Sequence, residues 1–340
     1  MHCPDPRHDA LLYWLNNDLG LDVKNLAPAS SDASFRRYFR FESKAVSRIA
    51  MDAPPPQENI APFLKVAALL KARGVSTPEI HAANAENGYI VLGDFGSTAF
   101  LDVLDDETVE NLYGKAMETL TLLQSRPPEE TGEPDLPLYD EALLRRELGI
   151  FREWCLEKYL GLTLTQEENT LLDETFESLI ASALAQPTVL VHRDFHSRNL
   201  MLLPNGTPGV LDFQDAVIGP ITYDLASLLR DCYIAWPLDR LSRWVNQYRR
   251  ELLQRGLLED ISETTFRRWF DLMGMQRHLK AIGIFCRLKI RDGKPGYIKD
   301  IPRTLGHILD AARDQTDLVP FATLLTTRVL PAFLRAQRDL

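Results

Sequence analysis

His192-Arg193-Asp194-Phe195-His196-Ser197-Arg198-Asn199, followed downstream by Asp212-Phe213, is the stretch on which the fold turns. It places a carboxylate, an amide and a second carboxylate at the offsets that phosphoryl transfer uses. One carboxylate must meet the proton of an acceptor hydroxyl, while amide and carboxylate oxygens hold Mg²⁺ against nucleotide phosphates. Asp194 is spaced for the first role, Asn199 and Asp212 for the second. The apolar run Val189-Leu190-Val191 reads as a buried strand that ends where the loop begins. Leu200 to Leu203 and Gly209 to Leu211 flank Pro204-Asn205-Gly206-Thr207-Pro208, a turn-rich hairpin connection. The hairpin's first strand leaves Asn199 and its second delivers Asp212, so both metal ligands are expected at one end of a small sheet.

The spacing is that of the kinase catalytic loop H-R-D-L-x-x-x-N with the metal-binding Asp that follows it. Each residue also has a plainer reading. Asp194 alone is a loop-capping carboxylate, since Asx side chains commonly close turns. His192 reads as a buried, hydrogen-bonded scaffold rather than a proton carrier, because the mechanism already has a base. His196 has no assigned role, and Arg198 is either a phosphate-stabilising charge or a solvated loop arginine. A metal-dependent hydrolase is the rival from another class, with His192, Asp194 and His196 as alternating zinc ligands. It leaves Asn199 and Asp212 unexplained, and the remaining histidines are scattered with no H-E-x-x-H pair.

At 340 residues the chain can build two compact units, and its 45% apolar and 25% charged content is that of a globular protein. A net charge of −10 argues against general nucleic-acid binding, which needs a basic surface to displace counterions. No apolar run approaches the ~18 residues of a membrane span, and Met1 to Arg7 lacks the layout of a signal peptide. A cytoplasmic, membrane-free protein is the expectation. Cys3, Cys155, Cys232 and Cys286 form no C-x-x-C pair and read as free thiols.

The first ninety or so residues read as a small, mostly β unit. Phe35 to Phe41 alternates at period 2 and pairs with Ala45 to Met51 across Glu42-Ser43-Lys44. From Glu58, the spacing of Ile60, Phe63, Leu64, Ala67 and Leu70 predicts a helix closed by Gly74. A hairpin around Asn87-Gly88 leads to Gly93-Asp94-Phe95-Gly96, read either as a hinge whose backbone meets an adenine edge or as a plain interdomain turn. Beyond it, Val109, Leu112, Ala116, Leu120 and Leu123 begin a helical region that continues to the C-terminus.

The chain resembles the aminoglycoside phosphotransferase and choline kinase-like branch of the protein-kinase-like fold. The residues that carry this are Val191 to Asn199, Leu211-Asp212-Phe213-Gln214-Asp215, and Gly219-Pro220-Ile221-Thr222-Tyr223-Asp224-Leu225-Ala226. Within that branch, Ser30 to Arg40, Met51-Asp52-Ala53-Pro54-Pro55 and Arg277 to Phe285 look like the bacterial N-acetylmuramate/N-acetylglucosamine kinases. The resemblance implies an α+β, bilobal fold: a small β-rich nucleotide lobe (1–92), a hinge (93–97) and a larger, mostly helical C-lobe (98–340). It implies ATP and Mg²⁺, Asp194 as base, Asn199 and Asp212 as metal ligands, and Asp224 as a brace for the catalytic loop, where the plain reading is a helix cap. It also implies a sugar acceptor phosphorylated at the anomeric hydroxyl, in recycling of cell-wall peptidoglycan.

Two departures stand against that pattern. Ser30 to Arg40 contains no glycine, so Ser31, Ser34 and backbone N–H groups replace a Gly-rich phosphate loop, or the segment is a plain hairpin. The strand Arg48-Ile49-Ala50-Met51 carries no V-A-I-K lysine, which leaves Arg36 or Arg48 to neutralise the phosphates and keeps an inert nucleotide-binding relative open. Nucleotide contacts are expected from Ser31, Ser34, Arg36 and Leu92-Gly93-Asp94-Phe95. Acceptor contacts are expected from Glu147, Arg152, Asp215, Arg230 and Trp236, each of which also reads as a packed or solvated residue. An aminoglycoside or choline acceptor stays open. A protein acceptor is disfavoured, because too little chain separates Asp212 from Gly219 for an activation loop and no A-P-E follows.

Overall fold

The computed structural model describes residues 5–31, 35–125, 136–313 and 315–338. The chain forms two compact units: Met1–Lys115 with Asn199–Asp215, and Ala116–Arg198 with Ala216–Leu340. The first unit runs on to Lys115, inside the helix Val109–Gln124, and recovers the segment Asn199–Asp215 from far along the chain.

The first unit is built on five antiparallel strands, β1 (Ala27–Ser31), β2 (Arg37–Ser43), β3 (Val46–Asp52), β4 (Ile80–Asn84) and β5 (Tyr89–Gly93), in the order β1-β2-β3-β5-β4. Register puts Phe39 opposite Ala50 and Phe41 opposite Arg48, while Val91 faces Ala50 and Tyr89 faces Asp52. Since alternate residues share a face, Phe39, Phe41, Ala50, Tyr89 and Val91 point one way. They bury against Leu11, Trp14, Leu15, Val23 and Leu26 of the N-terminal segment. At the edge of that layer the Asp52 carboxylate is fully buried and bonded by Arg7 Nε at 2.9 Å and Arg37 Nε at 3.0 Å. The opposite face carries Tyr38, Arg40, Ile49, Met51, Ile90 and Leu92. The β4–β5 turn needs its glycine: Gly88 has φ +73°, and a Cβ there would lie 1.9 Å from the Ala53 carbonyl oxygen. The helix Ala61–Ala72 buries Phe63, Val66, Ala67 and Leu70, one stripe at helical spacing, and stops at Gly74 with φ +78°.

Four further strands form two short ladders. In the second unit β6 (Thr188–Val191) pairs antiparallel with a strand at Val217–Pro220; in the first, β7 (Leu200–Leu202) pairs antiparallel with β8 (Pro208–Val210). The Val217–Pro220 strand is β9 below. The second unit is otherwise helical around Glu263–Asp292, which begins at a Ser262 cap (Oγ accepting from Thr265 N–H) and ends at Gly293 with φ +64°. Phe266, Phe270, Met275, Leu279, Ile282 and Cys286 are buried along it, each large side chain contributing roughly 1.5–3 kcal/mol of apolar burial. Cys155, Cys232 and Cys286 are free, buried thiols; Cys3 lies outside the described residues. Among the described residues one helical run, Thr316–Gln337, is long and apolar enough to cross a membrane by length and composition alone. Phe321, Leu324, Val329 and Phe333 on it are buried in the protein, and Arg328 on it pairs with Glu168.

Candidate active site

The loop that follows β6 is gripped from beneath by carboxylates. Asp224, fully buried, accepts the His192 N–H at 2.6 Å and the Arg193 N–H at 3.0 Å rather than capping the helix in which it sits. Burial pushes its own pKa up to about 7 against those two donors. Asp231 accepts the Ser197 N–H at 2.9 Å and also takes the Ser197 hydroxyl. His192 is buried, and its Nδ1 accepts the Asp194 N–H at 3.2 Å, a scaffold position. Arg193 holds φ +77°, a left-handed value that a side chain adopts only under constraint. The constraint is visible. Its guanidinium donates to Glu147 Oε1 at 2.5 Å, and its carbonyl accepts from Arg277 Nη2 at 3.5 Å.

Asp194 is thus presented by a loop fixed at both ends. Burial alone raises its carboxyl, but the charges of Lys280 and Arg277 are among those that outweigh it and hold its pKa below the ordinary carboxylate value. Asp194 is ionised at neutral pH and ready to accept a hydroxyl hydrogen. His196 is pulled the other way: burial keeps it neutral, its ring edge-on to Tyr233 at 5.5 Å. Arg198 lies over the same Tyr233 ring, 3.5 Å from its centroid.

In the first unit the β7–β8 hairpin brings Asn199 and Asp212 to the same end. Leu200 faces Val210, and the Leu211 N–H donates to the Asn199 carbonyl at 2.9 Å. Asp212 has φ +61° and is partly exposed. Its Oδ1 accepts from Gln214 Nε2 at 2.8 Å and stands 3.8 Å from Arg36 Nη2. One carboxylate and one amide, both hard oxygen donors, suit Mg²⁺, which is held by few protein oxygens and completes its shell with water and phosphate. Asn199 and Asp212 therefore fit the ion. The neighbouring Phe213 is buried against Phe63, with ring centroids 4.7 Å apart.

The expected nucleotide contacts divide. Ser34 lies outside the described residues, and of Ser31 only the backbone, paired with Arg37, is described. Leu92 is a paired interior residue of the sheet, and the Gly93 N–H is occupied, donating to Glu79 O at 2.8 Å. The Asp94 carboxylate is held by Arg40 Nε at 2.6 Å, Ser47 Oγ at 2.5 Å and the Gly96 N–H at 2.9 Å. Phe95 packs over Gly209, where a Cβ would meet its ring at 2.5 Å.

Of the expected acceptor contacts, two prove to be interior residues. Glu147 is 3% exposed and joins Tyr139, Arg193, Lys280 (3.0 Å) and Gln276 (3.2 Å) in one buried network. Arg230 is fully buried, donating to Asp271 at 2.7 Å and to the His307 carbonyl at 3.0 Å. Asp215 is exposed, Arg152 pairs with Asp173 on the surface, and Trp236 is half-buried, edge-on to Trp244 at 6.0 Å. The sequence reading missed Lys280, Arg277, Tyr139 and Gln276 as supports of the loop; three of these lie within or beside the Arg277–Phe285 segment quoted above for resemblance, the one signal that could have drawn attention to them. Among the described residues no group of three or more His, Cys, Asp or Glu is arranged to hold a metal, as a zinc hydrolase would require.

Comparison with known proteins completes this picture. The model of the phosphotransferase enzyme family matches residues 25–264. The N-acetylmuramate/N-acetylglucosamine kinase of Pseudomonas aeruginosa is 46% identical over 334 residues, covering 95% of this chain and 97% of that protein. The protein of the same name from Pseudomonas putida is 43% identical over 335 residues, covering 94% and 97%. Among solved structures, the GDP complex of aminoglycoside 2'-phosphotransferase-IIIa superposes with TM-score 0.62 at 15% identity, over 88% of this chain and 98% of that one. Plasmodium vivax ethanolamine kinase does so with TM-score 0.60 at 12% identity, over 90% and 87%. The architecture is thus the protein-kinase-like one.

Proposed function

We propose a reaction from one premise: the chain belongs to the phosphotransferase enzyme family and is a small-molecule kinase. The reading is that it transfers the γ-phosphoryl group of ATP to the anomeric hydroxyl of N-acetylmuramate and N-acetylglucosamine, in cell-wall recycling in the cytoplasm. What carries it is 46% identity, spread over 95% of the chain, to a kinase named for those two sugars.

In this reading Asp194, held ionised, accepts a hydrogen bond from the sugar hydroxyl and aims its oxygen at the γ-phosphorus. As the P–O bond to ADP breaks and the new one forms, the hydroxyl proton passes to the Asp194 carboxylate. Little covalent work falls to the protein in so loose a transition state, so the rigid seating of the loop by Asp224, Asp231 and Glu147 is where this chain contributes most. Asn199 and Asp212 would hold Mg²⁺, which when bound neutralises phosphate charge. Since Leu92 and Gly93 are engaged in the sheet, the backbone of Asp94 and Phe95 is the part of the segment read as meeting adenine.

ADP release measured against amino sugars, aminoglycosides, choline and ethanolamine tests the reading. An amino-sugar response is expected, with an acid-labile phosphate assigned to the anomeric oxygen by phosphorus NMR. A response confined to aminoglycosides or amino alcohols would reject the acceptor.

A further inference from the structure

We propose that Arg277 is the cation that recognises the carboxylate of N-acetylmuramate, the group that separates this acceptor from N-acetylglucosamine. The inference rests on the amino-sugar reading above and deepens it. The two sugars differ by a single lactyl ether, and its carboxylate is the only charge on either molecule.

On the helix Glu263–Asp292, Lys280 pairs with Glu147 and Arg267 with Asp271. Arg277, one turn before Lys280 and half-buried, has no carboxylate at ion-pairing distance among the described residues. Its one hydrogen bond, from Nη2 to the Arg193 carbonyl, is long at 3.5 Å, and its buried Nε has no partner. Arginine stays charged at any physiological pH. A half-buried guanidinium without a close counter-ion carries a desolvation cost that an arriving anion relieves.

An aromatic face holds the side chain instead. The guanidinium carbon lies 5.1 Å from the centre of the Tyr223 ring. Tyr223 is itself fixed: fully buried, edge-on to Tyr139 at 5.1 Å, with its hydroxyl accepting from Lys280 Nζ at 3.3 Å. A ring beneath the guanidinium sets its plane and leaves most of its five N–H groups uncommitted.

The position suits the acceptor. The Arg193 carbonyl belongs to the peptide that leads into Asp194, so Arg277 lies against the backbone that presents the proposed base. Its charge also helps to keep Asp194 ionised. In N-acetylmuramate one ring carbon separates the anomeric carbon from the carbon that bears the lactyl ether. A sugar whose anomeric hydroxyl meets Asp194 therefore carries its carboxylate into the neighbourhood of Arg277, where the planar fork matches two carboxylate oxygens. A cationic aminoglycoside or choline would meet like charge there.

Initial rates of the whole protein with Mg·ATP on each sugar test this. The readout is the ratio of kcat/KM for N-acetylmuramate to that for N-acetylglucosamine. Arg277→Ala should lower both values, since the side chain also steadies the Arg193 carbonyl. It should lower the ratio by roughly 10–100-fold, the loss of one or two charge-assisted hydrogen bonds. That extra loss should lie in KM, as removal of binding to a non-reacting group does. Arg277→Lys keeps the charge without the fork and should recover part of the ratio. Losses in equal proportion on both sugars would overturn the proposal and leave Arg277 a support of the loop. Should Arg277→Ala not fold, Arg277→Lys and Arg277→Gln decide by the same measure, and a wild-type ratio in both overturns it. A wild type that phosphorylates neither sugar would sink the acceptor reading and this proposal with it. A wild type active on both, with a ratio indifferent to Arg277, sinks this proposal alone.

Discussion

Glu147 accepts a hydrogen bond at 2.5 Å from Arg193, the residue immediately before Asp194 and one of the few non-glycine residues with positive φ. A carboxylate on the helix Glu141–Ile150 thereby sets the backbone conformation from which the base projects. Removing one partner of a buried ion pair strands the other, at a cost of ~3–5 kcal/mol. Glu147→Ala is expected to lose stability on that scale, and Glu147→Gln, which keeps the shape, to lose less while still lowering turnover. Burial raises the Glu147 carboxyl, yet Lys280 and Arg193 together bring it below its ordinary value of 4.5. The stabilisation is therefore complete above that value and is lost as pH falls through the lower folded value. Melting curves of wild type and Glu147→Gln should converge in acid; a gap unchanged from neutral pH down to about pH 3 would contradict the assignment.

Asp194→Asn keeps the loop's shape and removes the proton acceptor. Turnover should fall by about 10²–10⁴ while nucleotide affinity holds. Single-turnover kinetics paired with ATP titration reads both at once. Near-normal turnover would take the role of base away from Asp194.

Asp212→Ala removes the one carboxylate that the β7–β8 hairpin supplies. Activity should then require roughly ten-fold or more Mg²⁺, since ion affinity follows the count of charged oxygens. A magnesium titration of initial rate is the check, and an unshifted curve speaks against Asp212 as a ligand.

Much of this architecture was legible because it is written in local patterns. Period-2 alternation marked β2, and pairing across Glu42-Ser43-Lys44 marked β3, within two residues of their observed ends; Asn87-Gly88 marked the β4–β5 turn, and Pro204 to Pro208 marked the β7–β8 hairpin. The proposed site residues could be named for the same reason: Asp194, Asn199 and Asp212 fall within one short stretch. What sequence hid is long-range. Nothing local says that Asn199–Asp215 folds with residues before Lys115, or that Asp231 reaches Ser197. Glu147 and Arg230 read as acceptor contacts, or as packed or solvated residues, until Lys280 and Asp271, more than forty residues away, are seen to neutralise them and Gln276 to hydrogen-bond Glu147. Charge in a sequence reads as solvent exposure, and only the fold shows where it is paired inside.

Asp224 makes the opposite pH prediction to Glu147. Burial raises its pKa from 3.8 to about 7 in the folded protein. A carboxyl whose folded value lies above its unfolded value lowers stability as pH climbs through that interval, because the folded state alone keeps the proton. Stability of the wild type relative to Asp224→Asn should decline from about pH 4 to about pH 7 and stay level above. Urea denaturation at several pH values tests this. A relative stability that rises over the interval would mean that the two backbone donors, and not burial, dominate the Asp224 carboxyl.

Gly283 sits where the helix Glu263–Asp292 crosses the chain at Ile150. A Cβ at Gly283 would lie 2.6 Å from the Ile150 carbonyl oxygen and 2.7 Å from the Phe151 nitrogen. Both are backbone atoms, so no side chain can rotate away and the helices must separate. Overpacking of this kind costs about 1–3 kcal/mol. Gly283→Ala should therefore melt several degrees lower, even though alanine is the better helix former by about 1 kcal/mol in the absence of a neighbour. The same helix carries Arg277 and Lys280, which support the Asp194 loop, so a shifted helix should also lower turnover without changing ATP affinity. Melting temperature and rate measured on Gly283→Ala check both halves. A variant that melts at or above the wild-type temperature would show that the two helices have room to spare at this crossing.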